Sequence, residues 1–429
     1  MYKNLKPNNY RPRIVDALLQ ELLDEFGAVE VRGPKYCGKT WTSLAFARSV
    51  THVDDLSLRD LIVAEPKIAL RGETPVAIDE WQEVPQIWDS ARRIIDETGA
   101  KPGQFIFTGS STPNKEKVVH SGAGRIATLP MSTMTLYEKG VVDGGVSLSD
   151  LFNGKFEVVK SDKDLEFYAE QIITGGWPSL LNGSKKKSKH LAMQYLNATF
   201  ETSIPAKGAS SSTALAIARS LAKNVGTSAK LSNIASDSSI AETTDATRFK
   251  VSEYINIFKS FYLLQELQGW DAPLRSKSRL RTKPKRYFCD PSLAAALLGT
   301  DNKRLLLDAQ LFGILFESLC VHDLEVFARA LPGAAQNPIF YYRDSDGLEV
   351  DVIIELLDGR WAGIEIKLGQ EKVKKGCASL NRLRKKIERN PLAQNKEPEF
   401  MAVLTATSKI AYYDKEEDVF VIPFACLEP

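Results

Sequence analysis

The chain has 429 residues, of which 43% are hydrophobic and 26% charged, and its net charge is only +2. This composition is typical of a globular protein of two or three domains, and the near balance of charge excludes overall charge as a guide to its partners. Five cysteines without C-x-x-C spacing and four scattered histidines indicate a reducing compartment and give no sign of a histidine-based metal site. Because no run of about 18 apolar residues occurs and the polar segment 1–13 has no apolar core, we expect neither a membrane span nor a signal peptide, but a cytoplasmic protein.

A helix-spaced apolar run from 14 to 26 ends at Gly27 and is followed by a short β-prone run, 28–31. Residues 33–40 then fit G-x-x-x-x-G-K-[ST], the phosphate-binding loop of nucleotide hydrolases. In that motif Lys39 would contact the β- and γ-phosphates of ATP, and the Thr40 hydroxyl would bind Mg²⁺. The residues expected to contact the nucleotide are Gly33, Pro34, Lys35, Tyr36, Cys37, Gly38, Lys39, Thr40 and Trp41.

A second apolar strand, 75–80, ends in two carboxylates, as a Walker B motif does. We expect Asp79 to hold Mg²⁺ and Glu80 to orient or deprotonate the attacking water. A third strand, 104–109, is followed by Ser110, whose position favours a polar sensor of the γ-phosphate. Farther on, Arg125 is a candidate for stabilising transition-state charge in its own subunit or a neighbouring one.

These motifs give the chain a resemblance to prokaryotic AAA-type ATPases, close to the archaeal ATPase branch and fused to a C-terminal region with a restriction-endonuclease-like core. The resemblance rests on GPKYCGKT, VAIDEWQ, FIFTGSS, Gly124-Arg125 and the later Gly175-Gly-Trp-Pro178. It implies a parallel-sheet P-loop ATPase domain over 1–150, with Ser110 as sensor and Arg125 as arginine finger. Lys35 stands where the family often has arginine.

In the middle region, 151–310, a short helix, a serine-rich turn and a better helix over 248–264 precede two β-prone runs. Helix–turn–helix followed by a hairpin is the winged-helix pattern, and the resemblance supports it. Residues 275–286 hold seven cations in twelve positions without an acid, which suits contacts with DNA phosphates. A solvated loop is the alternative.

The last region, 311–429, begins with an apolar helix interrupted by Glu317 and continues as a meander of strands. Asp351 lies on one predicted strand, and Glu365 and Lys367 share one face of the next strand because side chains alternate between faces. If the two strands pair, the two carboxylates can meet at one metal. This is the arrangement of the PD-(D/E)xK nuclease family, in which Glu317 would come from the preceding helix. Such carboxylates bind Mg²⁺, and the lysine lowers the pKa of the attacking water.

A basic helix over 372–389 follows, and it favours a phosphate backbone as its partner, although a solvated face explains it too. The sequence thus predicts an α/β ATPase domain, a mainly helical winged-helix domain and an α/β nuclease-like domain. We expect an ATP- and Mg²⁺-dependent ATPase acting on DNA, in a possible homo-oligomer. A regulatory or scaffolding ATPase with a silent nuclease-like domain, and a ring-forming remodeller, stay open.

Overall fold

The computed structural model describes residues 5–111, 121–181, 185–238 and 245–429, without the side chains of 185–189, 245–246 and 280. The chain divides into two compact units. The first unit contains Met1–Thr133 with Ser260–Leu263, and the second contains Met134–Lys259 with Leu264–Pro429. Apart from Ser260–Leu263, the regions for which we predicted a middle and a last domain therefore lie within one compact unit. None of the helices in the described ranges is both long enough and apolar enough to cross a membrane.

The first unit is built on one parallel five-stranded sheet with helices between its strands. Its elements are α1 Val15–Glu25, β1 Ala28–Arg32, α2 Lys39–Phe46, β2 Ser49–His52, α3 Leu56–Ala64, β3 Val76–Asp79, α4 Gln86–Glu97, β4 Phe105–Gly109 and β5 Ile126–Pro130. The strand order is β2-β3-β4-β1-β5, and every pairing is parallel. All five strands therefore end at the same edge of the sheet, where ligands of open α/β sheets bind.

The core of this unit forms where α4 packs on the sheet. Its buried stripe includes Ile87, Trp88 and Ile95, the helical spacing that the sequence shows. Trp88 stacks on Trp81 with ring centroids 4.8 Å apart. The sequence predicts helices over 41–50 and 81–95, and two of their boundaries were wrong. The helix expected from Trp81 begins at Gln86, because Pro85 precedes it and proline suits a helix start. The helix expected to continue to Val50 ends at Phe46, and edge strand β2 follows.

The helical part of the second unit is followed by a two-stranded antiparallel sheet. Its elements are β6 Val146–Ser147, α5 Leu148–Phe152, α6 Leu165–Thr174, α7 Lys185–Ala198, α8 Ser211–Lys223, α9 Leu231–Asp237, α10 Asp245–Ser260, β7 Leu264–Leu267, β8 Gly269–Trp270, α11 Lys277–Arg281, β9 Lys285–Phe288, α12 Pro291–Leu297 and α13 Asn302–Leu307. β7 pairs with β9, as a winged-helix hairpin requires. The connection between β7 and β9 is not a free hairpin tip, because it contains α11 and β8. Strand β8 pairs with a strand of the seven-stranded sheet that follows in the chain.

A mixed seven-stranded sheet completes the second unit. Its elements are α14 Ala309–Arg329, β10 Ala334–Arg343, β11 Glu349–Leu356, β12 Trp361–Lys367, α15 Val373–Glu388, β13 Phe400–Thr405, β14 Tyr412–Asp414, β15 Val419–Pro423 and β16 Leu427–Glu428. The strand order is β14-β15-β13-β12-β11-β10-β8, while β16 pairs with β6. The predicted meander is β10-β11-β12, antiparallel throughout. The apolar stripe of α15 is buried in the core cluster that includes residues of β11, β12 and β13.

Candidate functional site

The phosphate-loop motif lies between β1 and α2, at the carboxyl edge of the parallel sheet. Gly33 lies so close to the segment after β5 that a Cβ at this position would be 2.0 Å from the Met131 carbonyl oxygen. Gly38 adopts a φ of 107°, a conformation that disfavours residues with a side chain. The two glycines are therefore required by close approach and by backbone conformation, and they turn the chain into the start of α2.

The two polar residues at the start of α2 face the interior of this loop. Lys39 is only 5% exposed, and its Nζ donates hydrogen bonds to the carbonyl oxygens of Gly33 (3.0 Å) and Pro34 (2.8 Å). Thr40 Oγ1 donates to Asp79 Oδ1 over 3.0 Å. Lys39 thus contacts the loop itself, and Thr40 contacts the Asp79 carboxylate. Of the other residues expected to contact nucleotide, Lys35, Tyr36 and Trp41 are exposed and Cys37 is buried.

The ends of β2, β3 and β4 bring further polar groups to Asp79. Its Oδ1 also accepts a hydrogen bond from Thr108 Oγ1, and its Oδ2 lies 3.4 Å from His52 Nδ1. A hydroxyl and a carboxylate side by side are the hard oxygen donors that Mg²⁺ takes, with phosphate and water oxygens completing its shell. The donor set therefore fits Mg²⁺ held by Thr40 and Asp79. Sequence analysis missed Thr108 and His52, whose only signal is their place at a strand end.

Glu80 is held in one orientation by two neighbouring side chains. Its backbone is left-handed, with a φ of 54°, which is uncommon for a residue other than glycine. Its Oε2 accepts hydrogen bonds from Ser110 Oγ (2.9 Å) and from Gln82 Nε2. Ser110 thus contacts the carboxylate that we expect to activate water. Ser110 is therefore placed to orient Glu80, while its expected contact with the γ-phosphate stays a prediction.

Replacing Ser110 by alanine should lower kcat for ATP hydrolysis by about 10-fold without changing KM. One lost hydrogen bond to a charged group costs roughly 1.5 kcal/mol, and here the loss falls on the orientation of Glu80. Steady-state kinetics would separate the two constants. Ser110→Thr should restore most of the rate, because it keeps the hydroxyl, and Ser111→Ala serves as the neighbouring control. A change in KM alone would contradict the positioning role.

Arg125 lies at the wrong edge of the sheet to reach the loop of its own chain. β5 runs parallel to β1 with Ile126 opposite Ala28, so Arg125 lies at the amino end of the strands. The loop starts at Gly33, beyond their carboxyl end and about 20 Å away along the strand. Arg125 Nε donates instead to Asp96 Oδ1 at 2.8 Å. Arg125 therefore does not reach the phosphate loop of its own chain, which corrects that half of the prediction. Any catalytic role of Arg125 would need a second copy of the chain.

Arg13 is a further contributor to the loop that the sequence did not identify. Its Nη1 donates to the Cys37 carbonyl oxygen over 2.8 Å, and its Nη2 donates to the Ser132 carbonyl oxygen over 2.9 Å. The side chain is 7% exposed. Arg13 therefore holds the Cys37 peptide of the phosphate loop in place. In the sequence it is one of several cations in a polar N-terminal segment, and no local pattern distinguishes it.

A second polar cluster lies in the seven-stranded sheet, where the nuclease-like residues were predicted. Lys367 Nζ lies 3.1 Å from Asp351 Oδ2 and also contacts Glu365, while the backbone N–H of Ile366 donates to Asp351 Oδ2 over 2.8 Å. Glu317, on α14, faces the same point from the helix. The four predicted residues are thus brought together by the pairing of β11 with β12 and by α14.

Lys285 occupies the middle of this cluster, which the sequence did not predict. Its Nζ lies 2.8 Å from Glu349 Oε1, 3.2 Å from Glu317 Oε1 and 3.8 Å from Asp351 Oδ1. Its side chain is 2% exposed. Tyr287, two residues along β9, donates its hydroxyl to Glu317 Oε1 over 2.7 Å. We refer below to the carboxylate–lysine cluster, which consists of Glu317, Glu349, Asp351, Glu365, Lys285 and Lys367.

The charges of this cluster set its protonation. Burial by itself lowers the pKa of Lys285, but the negative charges around it, of which Glu317 is the strongest, raise that pKa well above its usual value. Burial raises the pKa of Asp351, but Lys367 and Lys285 outweigh it and lower that pKa. Burial and then the charge of Asp351 raise the pKa of Glu365 well above its usual value. Asp351 therefore stays ionised and Lys285 stays protonated, while Glu365 retains a proton most readily.

The basic run 275–286 is only partly available to a partner. Arg279 forms a bidentate ion pair with Glu355, and Arg286 pairs with Glu266. Lys285 is buried in the carboxylate–lysine cluster. The exposed cations of this run are Arg275, Lys277, Arg281 and Lys283. On α15 and its ends, the exposed cations outside every ion pair found in the described ranges are Lys372, Lys374, Lys375, Arg382, Lys385 and Arg389.

Three family models match successive parts of the chain. Residues 25–139 match an AAA domain, residues 165–304 a domain of unknown function (DUF8612), and residues 312–427 a domain of unknown function (DUF4143). The first match covers the phosphate loop, β3 and β4, and it agrees with the nucleotide-site geometry. The N-terminal region is thus an AAA-type P-loop ATPase domain.

Similar proteins and structures extend over more of the chain. Two uncharacterized proteins, of Mycobacterium bovis and Mycobacterium tuberculosis, are each 25% identical over 359 residues, which is 82% of this chain and 72% of theirs. The Walker-type ATPase PABY2304 of Pyrococcus abyssi aligns with 69% of this chain and 98% of its own at 12% identity and a TM-score of 0.43. The RuvB Holliday junction branch migration motor of Thermotoga maritima aligns with 61% of this chain and 93% of its own at 17% identity and a TM-score of 0.27.

Proposed function

We propose that this chain is a Mg²⁺-dependent ATPase whose second unit binds DNA. The observation that carries the ATPase proposal is the convergence of Lys39, Thr40, Asp79 and Glu80 at the carboxyl edge of one parallel sheet. Phosphate release from ATP by the purified chain, measured with and without Mg²⁺ and DNA, tests it. Absence of turnover under all these conditions would refute the proposal.

Residues of the phosphate loop and of the end of β3 have separate roles in the proposed hydrolysis. Backbone N–H groups between Gly33 and Thr40 bind phosphate oxygens, and Lys39 neutralises charge on the β- and γ-phosphates. Thr40 and Asp79 would hold Mg²⁺, and the metal would supply positive charge against the phosphate oxygens. Glu80, oriented by Ser110 and Gln82, accepts the proton of the attacking water. Stabilisation by an arginine would depend on a second copy, because Arg125 faces Asp96 at the other end of the sheet.

The DNA-binding proposal is supported by the charge of two surfaces of the second unit. Exposed cations cluster at 275–283 and along α15, where Lys374, Lys375, Arg382 and Lys385 have no acidic partner in the described ranges. Unpaired cations release counterions from DNA when they meet phosphates, and this supplies affinity without sequence specificity. The order of α8, α9, α10, β7 and β9 is that of a winged helix, which adds support for the same partner.

Replacing Arg382 and Lys385 by alanine should weaken DNA binding and flatten its salt dependence. Each phosphate contact that is lost reduces the slope of log K against log[salt] by about 0.9, so we expect a decrease of about 1.8. Fluorescence anisotropy of a labelled duplex at several salt concentrations measures that slope. Lys396→Ala with Lys415→Ala removes two exposed lysines outside both clusters and should leave it unchanged. Equal slopes for wild type and the α15 variant would exclude this helix from the interface.

A second candidate is a regulatory or scaffolding ATPase in which the nuclease-like domain binds but does not cut. The observation that favours it is the buried ammonium of Lys285 among the carboxylates that a nuclease would use for metal. The two candidates share the ATPase and the DNA contact. They differ in whether a duplex incubated with the chain and Mg²⁺ or Mn²⁺ is cleaved, and only cleavage that Asp351→Asn abolishes would favour the nuclease.

A further inference from the structure

The carboxylate–lysine cluster already contains its own cations. Lys285 Nζ faces Glu349 at 2.8 Å, Glu317 at 3.2 Å and Asp351 at 3.8 Å. Lys367 Nζ faces Asp351 at 3.1 Å and contacts Glu365. Each of the four carboxylates therefore has an ammonium group within ion-pair distance. Lys285 is also sealed from solvent, with 2% of its side chain exposed, and the Tyr341 ring lies 5.4 Å from its Nζ.

A divalent cation does not fit this arrangement as the chain forms it. An ammonium group has three donors, and Lys285 directs its charge at three carboxylates. Mg²⁺ requires near-octahedral oxygen ligands at about 2.0–2.1 Å, so it would have to take Glu317 and Asp351 from Lys285. The lysine would then keep only Glu349 as a partner and would lie buried beside a second positive charge, which is unfavourable.

We propose that Lys285 is the resident cation of the carboxylate–lysine cluster and takes the place of a divalent metal ion in the nuclease-like domain. The cluster is then an internal ion-pair site, and strand β9 is tied through it to α14 and β11. Without the Lys285 charge, Glu317, Glu349 and Asp351 would surround the vacated position and bind a divalent cation there. This inference concerns the second unit alone and does not depend on ATP turnover.

Mn²⁺ binding tests the proposal without any measurement of activity. Free Mn²⁺ is followed by electron paramagnetic resonance in titrations of wild type, Asp351→Asn, Lys285→Met and the double variant Lys285→Met with Asp351→Asn. Any Mn²⁺ bound near Asp79 is common to all four proteins, so dependence on Asp351 identifies the cluster. Lys283→Met, which removes an exposed lysine two residues upstream, is the matched control. Circular dichroism confirms that each variant is folded.

We expect wild type, Asp351→Asn and Lys283→Met to bind the same amount of Mn²⁺. Lys285→Met should bind one further ion per chain, and the double variant should lose it. The same ion should raise the melting temperature of Lys285→Met and leave that of wild type unchanged. The proposal is overturned if wild type binds an ion that Asp351→Asn loses, or if folded Lys285→Met gains none. The first of these comparisons uses wild type and Asp351→Asn alone, so it stands even if Lys285→Met does not fold.

Discussion

Lys39→Ala is expected to reduce kcat/KM for ATP hydrolysis by at least about 100-fold, the effect of removing one charged donor aimed at a transition state. The lysine is 5% exposed and lies inside the phosphate loop, where it donates to the carbonyl oxygens of Gly33 and Pro34. Alanine provides neither the charge nor the reach to the β- and γ-phosphates. Phosphate release and the binding of a fluorescent ATP analogue would measure the two components of the loss.

The control for this variant is Lys101→Ala, which removes an exposed lysine from the loop before β4. Its turnover should equal that of wild type, because the loop before β4 lies at the amino edge of the parallel sheet. Thermal unfolding of both variants distinguishes a lost phosphate contact from a lost fold. ATP turnover by Lys39→Ala at the wild-type rate would remove the basis of the ATPase proposal.

Glu80→Gln should lower kcat by about 10²- to 10⁴-fold, the usual contribution of a positioned general base. Glutamine keeps the size of the side chain and one oxygen that can accept from Ser110 or Gln82, but it does not take a proton from water. ATP binding should persist, because Lys39, Thr40 and Asp79 are unchanged. A single-turnover experiment with labelled ATP would separate slow chemistry from weak binding.

The matched control is Glu83→Gln, which alters an exposed glutamate in the same turn. Glu83 pairs with Arg59 at 3.0 Å on the surface, and such pairs contribute little to stability. We therefore expect full activity from this control. If Glu80→Gln kept the wild-type kcat, water activation would have to be assigned to another group.

The fold of the first unit was largely predictable because its signals are local. The apolar run 28–31, the glycines at 33 and 38 and the Val-Ala-Ile-Asp-Glu run each define an element within a few residues. Strand β2 was not predictable in the same way. It has only four residues and follows α2 without a glycine or proline between them, so the helical pattern extends across the boundary. Parallel pairing with β3, a contact distant in sequence, decides its conformation.

The sites show the same division between local and distant information. Strand alternation correctly placed Asp351, Glu365 and Lys367 together, because the turn at Asp358 joins adjacent strands. Lys285 was grouped with its exposed neighbours, since a run of cations looks uniform in sequence. Its burial depends on carboxylates from α14 and β11, which only the folded chain brings to it. The place of Arg125 was not predictable for a similar reason, because its distance from the loop follows from the direction of β5.

Arg13 joins the phosphate loop to the segment by which the chain leaves the first unit. One guanidinium holds the carbonyl oxygens of Cys37 and Ser132, and the chain passes into the second unit directly after Thr133. Loss of this side chain would therefore release two carbonyl oxygens at once, one in the loop and one in the residue before the last of this segment.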